Sequence, residues 1–120
     1  MFSEGHADVV KELLSNEADY NIQLNNGGTA LIMASGSGHV NVVKELVAKG
    51  ADVNAKQNKG ISSLMFAAQN GHVNVINELL TKGADVNAKS NIGVTALKAA
   101  TVKMHTEIIQ LLKKPGKRII

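Results

Sequence analysis

The chain has 120 residues and a formal net charge of +3, and it contains no cysteine, no tryptophan and one proline. This length predicts one domain with an ordinary core, and the lack of cysteine excludes disulfides, thiolate metal sites and a thiol nucleophile. Aromatic residues supply only 2% of the chain, so aliphatic side chains must fill the core. No stretch approaches the roughly 18 apolar residues of a membrane span, and the first residues do not resemble a secretion signal. We therefore expect a soluble, cytoplasmic protein.

A constant step of 33 residues runs along the sequence. Gly-His pairs begin at Gly5, Gly38 and Gly71, and Met104 precedes the histidine that continues the register. Further positions keep the same step, among them Ala18, Ala51 and Ala84, then Gly27, Gly60 and Gly93, then Leu31, Leu64 and Leu97, then Ala34, Ala67 and Ala100. So many columns in register indicate a repeat array, in which each unit is stabilised by packing on its neighbours.

Each repeat begins with a short predicted helix. Thr29, Ser62 and Thr95 each precede an apolar stretch, and a hydroxyl at this position can accept a hydrogen bond from the first helical turn. The helix is expected to last about two turns and to stop near Gly38 or Gly71. The segment from Gly36 to Gly38 lacks the further glycine and the Lys-Ser/Thr pair of nucleotide-binding loops, so we interpret it as a flexible loop.

A second helix is predicted from about His39 to Lys49. An apolar stripe identifies it, with Lys44, Glu45 and Ala48 on the other side; the stripe consists of Val40, Val42, Val43, Leu46 and Val47. Gly50 and Gly83 are predicted to end this helix in each repeat by adopting a left-handed conformation. Residues 51–60 contain an alternating Val-Asn-Ala-Lys piece and finish at a glycine, which predicts an extended arm bent back by a tight turn.

These motifs resemble ankyrin repeats, whose first helix begins Thr-Pro-Leu-His-x-Ala-Ala and whose second follows Gly-His. Residues 29–35 read Thr-Ala-Leu-Ile-Met-Ala-Ser, and Gly-Ala-Asp-Val-Asn-Ala stands at 50–55 and at 83–88. The resemblance implies an all-α ankyrin-repeat solenoid of stacked helix-turn-helix pairs with β-hairpin-like loops. It implies about three and a half repeats in one domain, residues 1–120, divided into a truncated first repeat at 1–28, repeats at 29–61 and 62–94, and a C-terminal capping repeat at 95–120.

Several positions depart from the family pattern. The proline column holds Ala30, Ser63 and Ala96, and the histidine column of the first helix holds Ile32, Met65 and Lys98. Near the C-terminus, Lys113 occupies the column of Val47 and Leu80, which suits a terminal face turned to water. At the N-terminus, only four residues precede Gly5, so the apolar stripe of a helix over residues 7–15 lacks the usual cover. Either Phe2 folds over this stripe, the chain is a piece of a longer array, or two molecules pair there; of these, we expect weak end-to-end self-association.

The sequence predicts no catalytic, cofactor-binding or metal site. His6, His39, His72 and His105 share the 33-residue step, which separates them by about one helix-packing distance, roughly 8–10 Å. A zinc ion needs its ligand nitrogens at about 2.1 Å from one centre, so we interpret the histidines as a structural ladder. Other candidate catalytic residues are explained by their places in the repeat, and we do not expect an enzyme.

The resemblance implies a protein-interaction scaffold that binds through its hairpin tips and the concave face of its first helices. The candidate contact residues are Gln23, Asn25, Asn26, Ser37, Lys56, Asn58, Lys59, Ile61, Gln69, Asn70, Lys89, Asn91, Ile92, Val94, Val102 and Lys103, with Gly28 and Gly36 beside them. The lysines favour an acidic protein partner. An engineered or truncated scaffold without a dedicated partner is an alternative interpretation.

Weak nucleic-acid binding through the basic C-terminal half is a further alternative. It is not favoured, because the three aromatic residues, Phe2, Tyr20 and Phe66, do not form stacking platforms for bases. The hairpin asparagines Asn54 and Asn87 are expected to make hydrogen bonds that hold the hairpin. The same column can be hydroxylated in ankyrin domains, which is the less favoured interpretation here.

Overall fold

The computed structural model describes residues 29–113, which form six α-helices arranged in three consecutive pairs. The helices are α1 (Ala30–Ser37), α2 (Val40–Ala48), α3 (Ser63–Asn70), α4 (Val73–Thr81), α5 (Ala96–Val102) and α6 (Thr106–Lys113). Predictions for residues 1–28 and 114–120 lie outside the described residues. They include the self-association stripe and the candidate contacts Gln23, Asn25 and Asn26.

The first helix of each pair begins at the predicted capping residue. The side-chain oxygens of Thr29, Ser62 and Thr95 accept hydrogen bonds from the N–H three residues further on, at 3.3, 3.3 and 3.1 Å. All three capping residues are extended, with ψ between 168° and 171°. The predicted helix starts are confirmed, because one hydroxyl in each case satisfies an N–H that the helix itself leaves unpaired.

The prediction of a flexible loop from Gly36 to Gly38 is wrong. Gly36 and Ser37 are the last residues of α1, and Gly38 caps that helix in the left-handed conformation with φ of 79°. The N–H of His39 then donates to the carbonyl of Ala34 at 3.0 Å. Contacts with the next repeat favour the helical form, since the Gly36 carbonyl accepts hydrogen bonds from that repeat.

The second helix of each pair follows the predicted stripe. In α2, Val42, Val43 and Leu46 are buried, while Val40 and Val47 are half-buried. The charged residues Lys44 and Glu45 are exposed, as predicted. The glycines that follow α2 and α4 have φ values of 98° and 94°, so the predicted left-handed residues at Gly50 and Gly83 are confirmed.

The six helices form two layers that share one aliphatic core. The inner helices α1, α3 and α5 pack on one another in sequence, and each also packs on the outer helix of its own pair. Each inner helix buries a small residue in the same column of the repeat, and these residues, Ala34, Ala67 and Ala100, all belong to the shared core. The outer helices contribute a leucine column, Leu46, Leu79 and Leu112. Lys113 is exposed at the end of α6, as expected of a face turned to water.

A β-hairpin-like arm links each pair to the next. In the first arm the N–H of Gln57 donates to the carbonyl of Ile61 at 3.0 Å, and a single antiparallel bridge joins Lys56 to Ser62. In the second arm the N–H of Ser90 donates to the carbonyl of Val94 at 2.9 Å. The tip glycine of the first arm, Gly60, has φ of 81°. The predicted extended arm with a tight turn is therefore confirmed.

Candidate interaction surface

The two described hairpins are joined to each other by hydrogen bonds at their tips. The N–H of Asn91 donates to the carbonyl of Lys59 at 2.9 Å, and Nδ2 of Asn91 donates to the carbonyl of Asn58 at 3.0 Å. Nζ of Lys56 donates to the carbonyl of Lys89 at 3.1 Å. These contacts fix the two tips relative to each other, so a ligand that bridges them has little ordering to impose.

Asn54 joins successive hairpins at their base. Its Oδ1 accepts a hydrogen bond from the N–H of Asp85 at 2.8 Å, and its Nδ2 lies 3.5 Å from the carbonyl oxygen of Gly83. The expected hydrogen bond therefore exists, but it connects two repeats and does not close a single hairpin. The carboxylates Asp52 and Asp85 each accept a hydrogen bond from the N–H two residues further on, both at 2.9 Å.

Two histidines of the 33-residue step, His72 and His105, also contact the preceding repeat. Nε2 of His72 lies 3.0 Å from the carbonyl oxygen of Gly36, and Nε2 of His105 lies 3.0 Å from that of Gln69. The two contacts recur at the 33-residue step, which agrees with a regular structural role for these histidines. Within residues 29–113, no group of three or more histidine, aspartate or glutamate side chains is arranged to hold a metal ion.

A pocket opens between the tips of the two hairpins. Its volume is about 420 Å³, and its lining consists of Lys59, Ile61, Ser90, Asn91 and Ile92. Ile61 is half-buried, whereas Ile92 is 86% exposed. Ile61 and Ile92 together give the pocket an apolar wall, and burying such apolar surface against a partner favours binding.

The structure brings four of the candidate contact residues together around this pocket: Lys59, Ile61, Asn91 and Ile92. The remaining hairpin candidates are exposed, except for half-buried Val94; they are Lys56, Asn58 and Lys89. The sequence analysis missed Ser90, whose Oγ accepts hydrogen bonds from the N–H groups of Ile92 and Val94 at 3.4 and 3.2 Å. Its position opening the tight turn, one 33-residue step after Gln57, is the signal that identifies it.

The inner helices contribute unequally to the candidate surface. In α1 every residue from Ala30 to Gly36 is buried, and Ser37 is half-buried. In α3, Gln69 is exposed, but Asn70 is half-buried and its Nδ2 donates to the Gly36 carbonyl at 2.8 Å. Beyond α5, Lys103 is exposed, and Val102 at the end of α5 is 68% exposed. Exposed side chains therefore accumulate from α1 towards α5.

A family model described as ankyrin repeats (three copies) matches residues 1–90 and 56–119. The chain belongs to the ankyrin repeat family. The predicted family and fold class are thus confirmed, and the hydrogen-bonded arms and paired helices are those of an ankyrin stack. Ankyrin repeats are generally protein–protein interaction modules and typically act as non-enzymatic scaffolds. A search of curated proteins finds no match to this chain.

The ankyrin repeats of this chain carry more cations than anions on their candidate surface. The described arms and inner helices contain four lysines, Lys56, Lys59, Lys89 and Lys98, and Lys103 follows directly after α5, against two aspartates, Asp52 and Asp85. In the described part of the chain, no helix is long and apolar enough to cross a membrane.

Proposed function

We propose that this ankyrin repeat domain is a non-enzymatic scaffold that binds an acidic protein partner through its hairpin tips and the exposed parts of its inner helices. The observation that carries the proposal is the pair of hairpin tips held together by Asn91 and presenting a pocket beside exposed Ile92. A rigid surface of this kind loses little conformational entropy on binding, because its loops are already ordered.

The charge of the surface supports an acidic partner. Lys56, Lys59 and Lys89 are exposed along the two arms, and both aspartates of the arms have a carboxylate oxygen engaged by a backbone N–H. Complementary charge raises the rate of encounter more than it raises affinity. We therefore expect binding that is fast and sensitive to salt. The cytoplasmic location of the protein stays a prediction.

Affinity capture with matched charge variants tests the proposal. The first variant combines Lys56→Glu, Lys59→Glu and Lys89→Glu; the control combines Lys44→Glu, Lys49→Glu and Lys82→Glu, which are exposed positions in or after the outer helices. Both variants change the net charge equally. Circular dichroism checks that each remains folded, because Lys56 also bonds to the neighbouring arm.

We expect the unmodified domain and the control to capture the same protein from a cell lysate and the arm variant to lose it. Equal capture by all three proteins would contradict binding through the arms. No capture above the bead background would favour a scaffold without a dedicated partner, and recovery of nucleic acid in place of protein would favour the basic surface as a nucleic-acid site.

A further inference from the structure

We propose that the pocket between the two hairpin tips is an anchor site for one aliphatic side chain of the partner, flanked on the partner by carboxylates. This inference rests on the proposed function and names the chemistry that the surface recognises. The pocket is defined by Lys59, Ile61, Ser90, Asn91 and Ile92, and we call it the tip pocket.

The apolar part of the tip pocket depends on a repeat position that is charged in one hairpin and apolar in the next. Ile92 stands 33 residues after Lys59, so the same tip position is a lysine in one hairpin and an isoleucine in the next. Half-buried Ile61 completes the apolar wall. An aliphatic side chain entering this space would cover Ile92, which is now 86% exposed, and the apolar area removed from water on both partners favours binding.

Two backbones approach each other closely beside the tip pocket. A Cβ atom added to Gly60 would lie 2.6 Å from Oδ1 and 2.8 Å from the backbone nitrogen of Asn91, so Gly60 is what allows Asn91 to reach the neighbouring tip. With two hydrogen bonds from Asn91 in place, the walls exist before a ligand arrives. Pre-formed walls are the usual property of pockets that select a side chain.

Charge determines what must flank the anchor. Lys59 forms part of the rim, and exposed Lys56 and Lys89 lie along the same two arms, joined by the hydrogen bond from Lys56 to the Lys89 carbonyl. Each exposed ion pair contributes little by itself, whereas several charges around an apolar contact select the partner. The occupant is thus an acidic segment with one leucine-like side chain, and not a basic or purely polar segment.

The test is a titration of the whole chain, followed by two-dimensional ¹H–¹⁵N NMR, with three blocked pentapeptides. The probe is Glu-Asp-Leu-Asp-Glu; the first control replaces its leucine by serine, and the second replaces its four acids by lysines. We expect the probe to shift the amide signals of Ile61, Asn91 and Ile92, with a dissociation constant on the order of 1 mM. Each control is expected to bind at least about fivefold more weakly.

Matched variants locate the binding site. Ile92→Asn removes the exposed wall, and Lys59→Glu reverses the rim charge. Their controls are Met104→Gln, which changes another apolar residue that is 81% exposed, and Lys82→Glu, which reverses an exposed charge after an outer helix. We expect at least about fivefold weaker probe binding for both pocket variants and less than about twofold change for both controls. Unchanged dispersion of the remaining NMR signals shows that each variant is folded.

The outcomes separate this inference from the proposed function. If the probe and its serine control bind alike, or if Ile92→Asn leaves binding unchanged, the anchor site is overturned even when the arm variant loses its partner in affinity capture. If the probe binds as expected but the arm variant still captures the same partner, the anchor chemistry stands and the proposed use of the arms by that partner fails. Shifts that depend on protein concentration without peptide would identify a second copy of the chain as the occupant and overturn the proposal.

Discussion

Three serine hydroxyls in the described residues, those of Ser35, Ser37 and Ser63, are buried without a hydrogen-bond partner. Such a hydroxyl loses its water without replacement, which costs about 1–3 kcal/mol. Ser63 stands in the column that holds Ala30 and Ala96, and both alanines are buried there. At this position a methyl group is therefore tolerated by the repeat, and the hydroxyl of Ser63 is a local departure from it.

Ser62 and Ser63 are adjacent serines with opposite expected effects on stability. Ser63→Ala should raise the free energy of unfolding by about 1 kcal/mol, because it removes an unpaired buried hydroxyl. Ser62→Ala should lower it by about 1 kcal/mol, because its Oγ accepts the hydrogen bond from the Met65 N–H that caps α3. Urea unfolding followed by circular dichroism measures both. A loss of stability in both variants would show that the Ser63 hydroxyl has a partner in solution.

At the scale of the helices, the junction between paired helices determines how closely successive repeats approach. A Cβ atom at Gly38 would lie 2.6 Å from the ring of His72, and one at Gly71 would lie 2.9 Å from the ring of His105. Each ring in turn lies against a carbonyl of the preceding inner helix. Glycine in this column thus has two roles. It adopts the left-handed conformation that ends the inner helix, and it leaves room for the ring of the histidine one repeat later. Met104 occupies the column with φ of 59°.

Substitutions in this column should therefore change stability in opposite directions. Gly71→Ala should lower the free energy of unfolding by more than about 1 kcal/mol, because it adds a clash with His105 to an unfavourable φ. Met104→Gly should raise it by about 0.5–1 kcal/mol, since glycine relieves the left-handed conformation and the lost side chain is mostly exposed. Thermal and urea unfolding of the two variants test this pair. Destabilisation by Met104→Gly would mean that the methionine side chain packs on the protein in solution.

At the scale of the whole molecule, stability depends on how many neighbours a helix pair has. Within the described residues, α3 and α4 pack against a pair on each side, whereas α5 and α6 pack only against the preceding pair. In a stacked array the intrinsic stability of a pair and its interfaces add. A pair with one such interface opens more readily than one with two.

Amide hydrogen exchange should report this difference along a single column. Leu79 in α4 and Leu112 in α6 occupy equivalent positions and are both buried. We expect the backbone amide of Leu79 to exchange at least about tenfold more slowly than that of Leu112, after correction for intrinsic rates. Equal protection would indicate that the described repeats open as one cooperative unit.

What the sequence determined by itself is the part of the structure that repeats or that acts over a few residues. The 33-residue step, the capping residues and the outer-helix stripe predicted the helix pairs, because caps and apolar periodicity act within one or two turns. The turn at the tip was predicted in the same way, because Gly60 adopts a positive φ that glycine accommodates locally. The repeated aliphatic columns also explained how a chain with few aromatic residues fills its core. Stacked leucine, valine and alanine build a core that continues from one repeat to the next.

What only the tertiary structure decided is how groups about 33 residues apart meet. No local pattern shows that Asn54 and Asn91 form hydrogen bonds to a neighbouring arm. Nor does one show that the Gly36 carbonyl contacts Asn70 and His72, or that α1 is buried along almost its whole length. The tip pocket likewise depends on the distance between two successive hairpins. That distance is set by the packing of whole helix pairs, which no single repeat encodes.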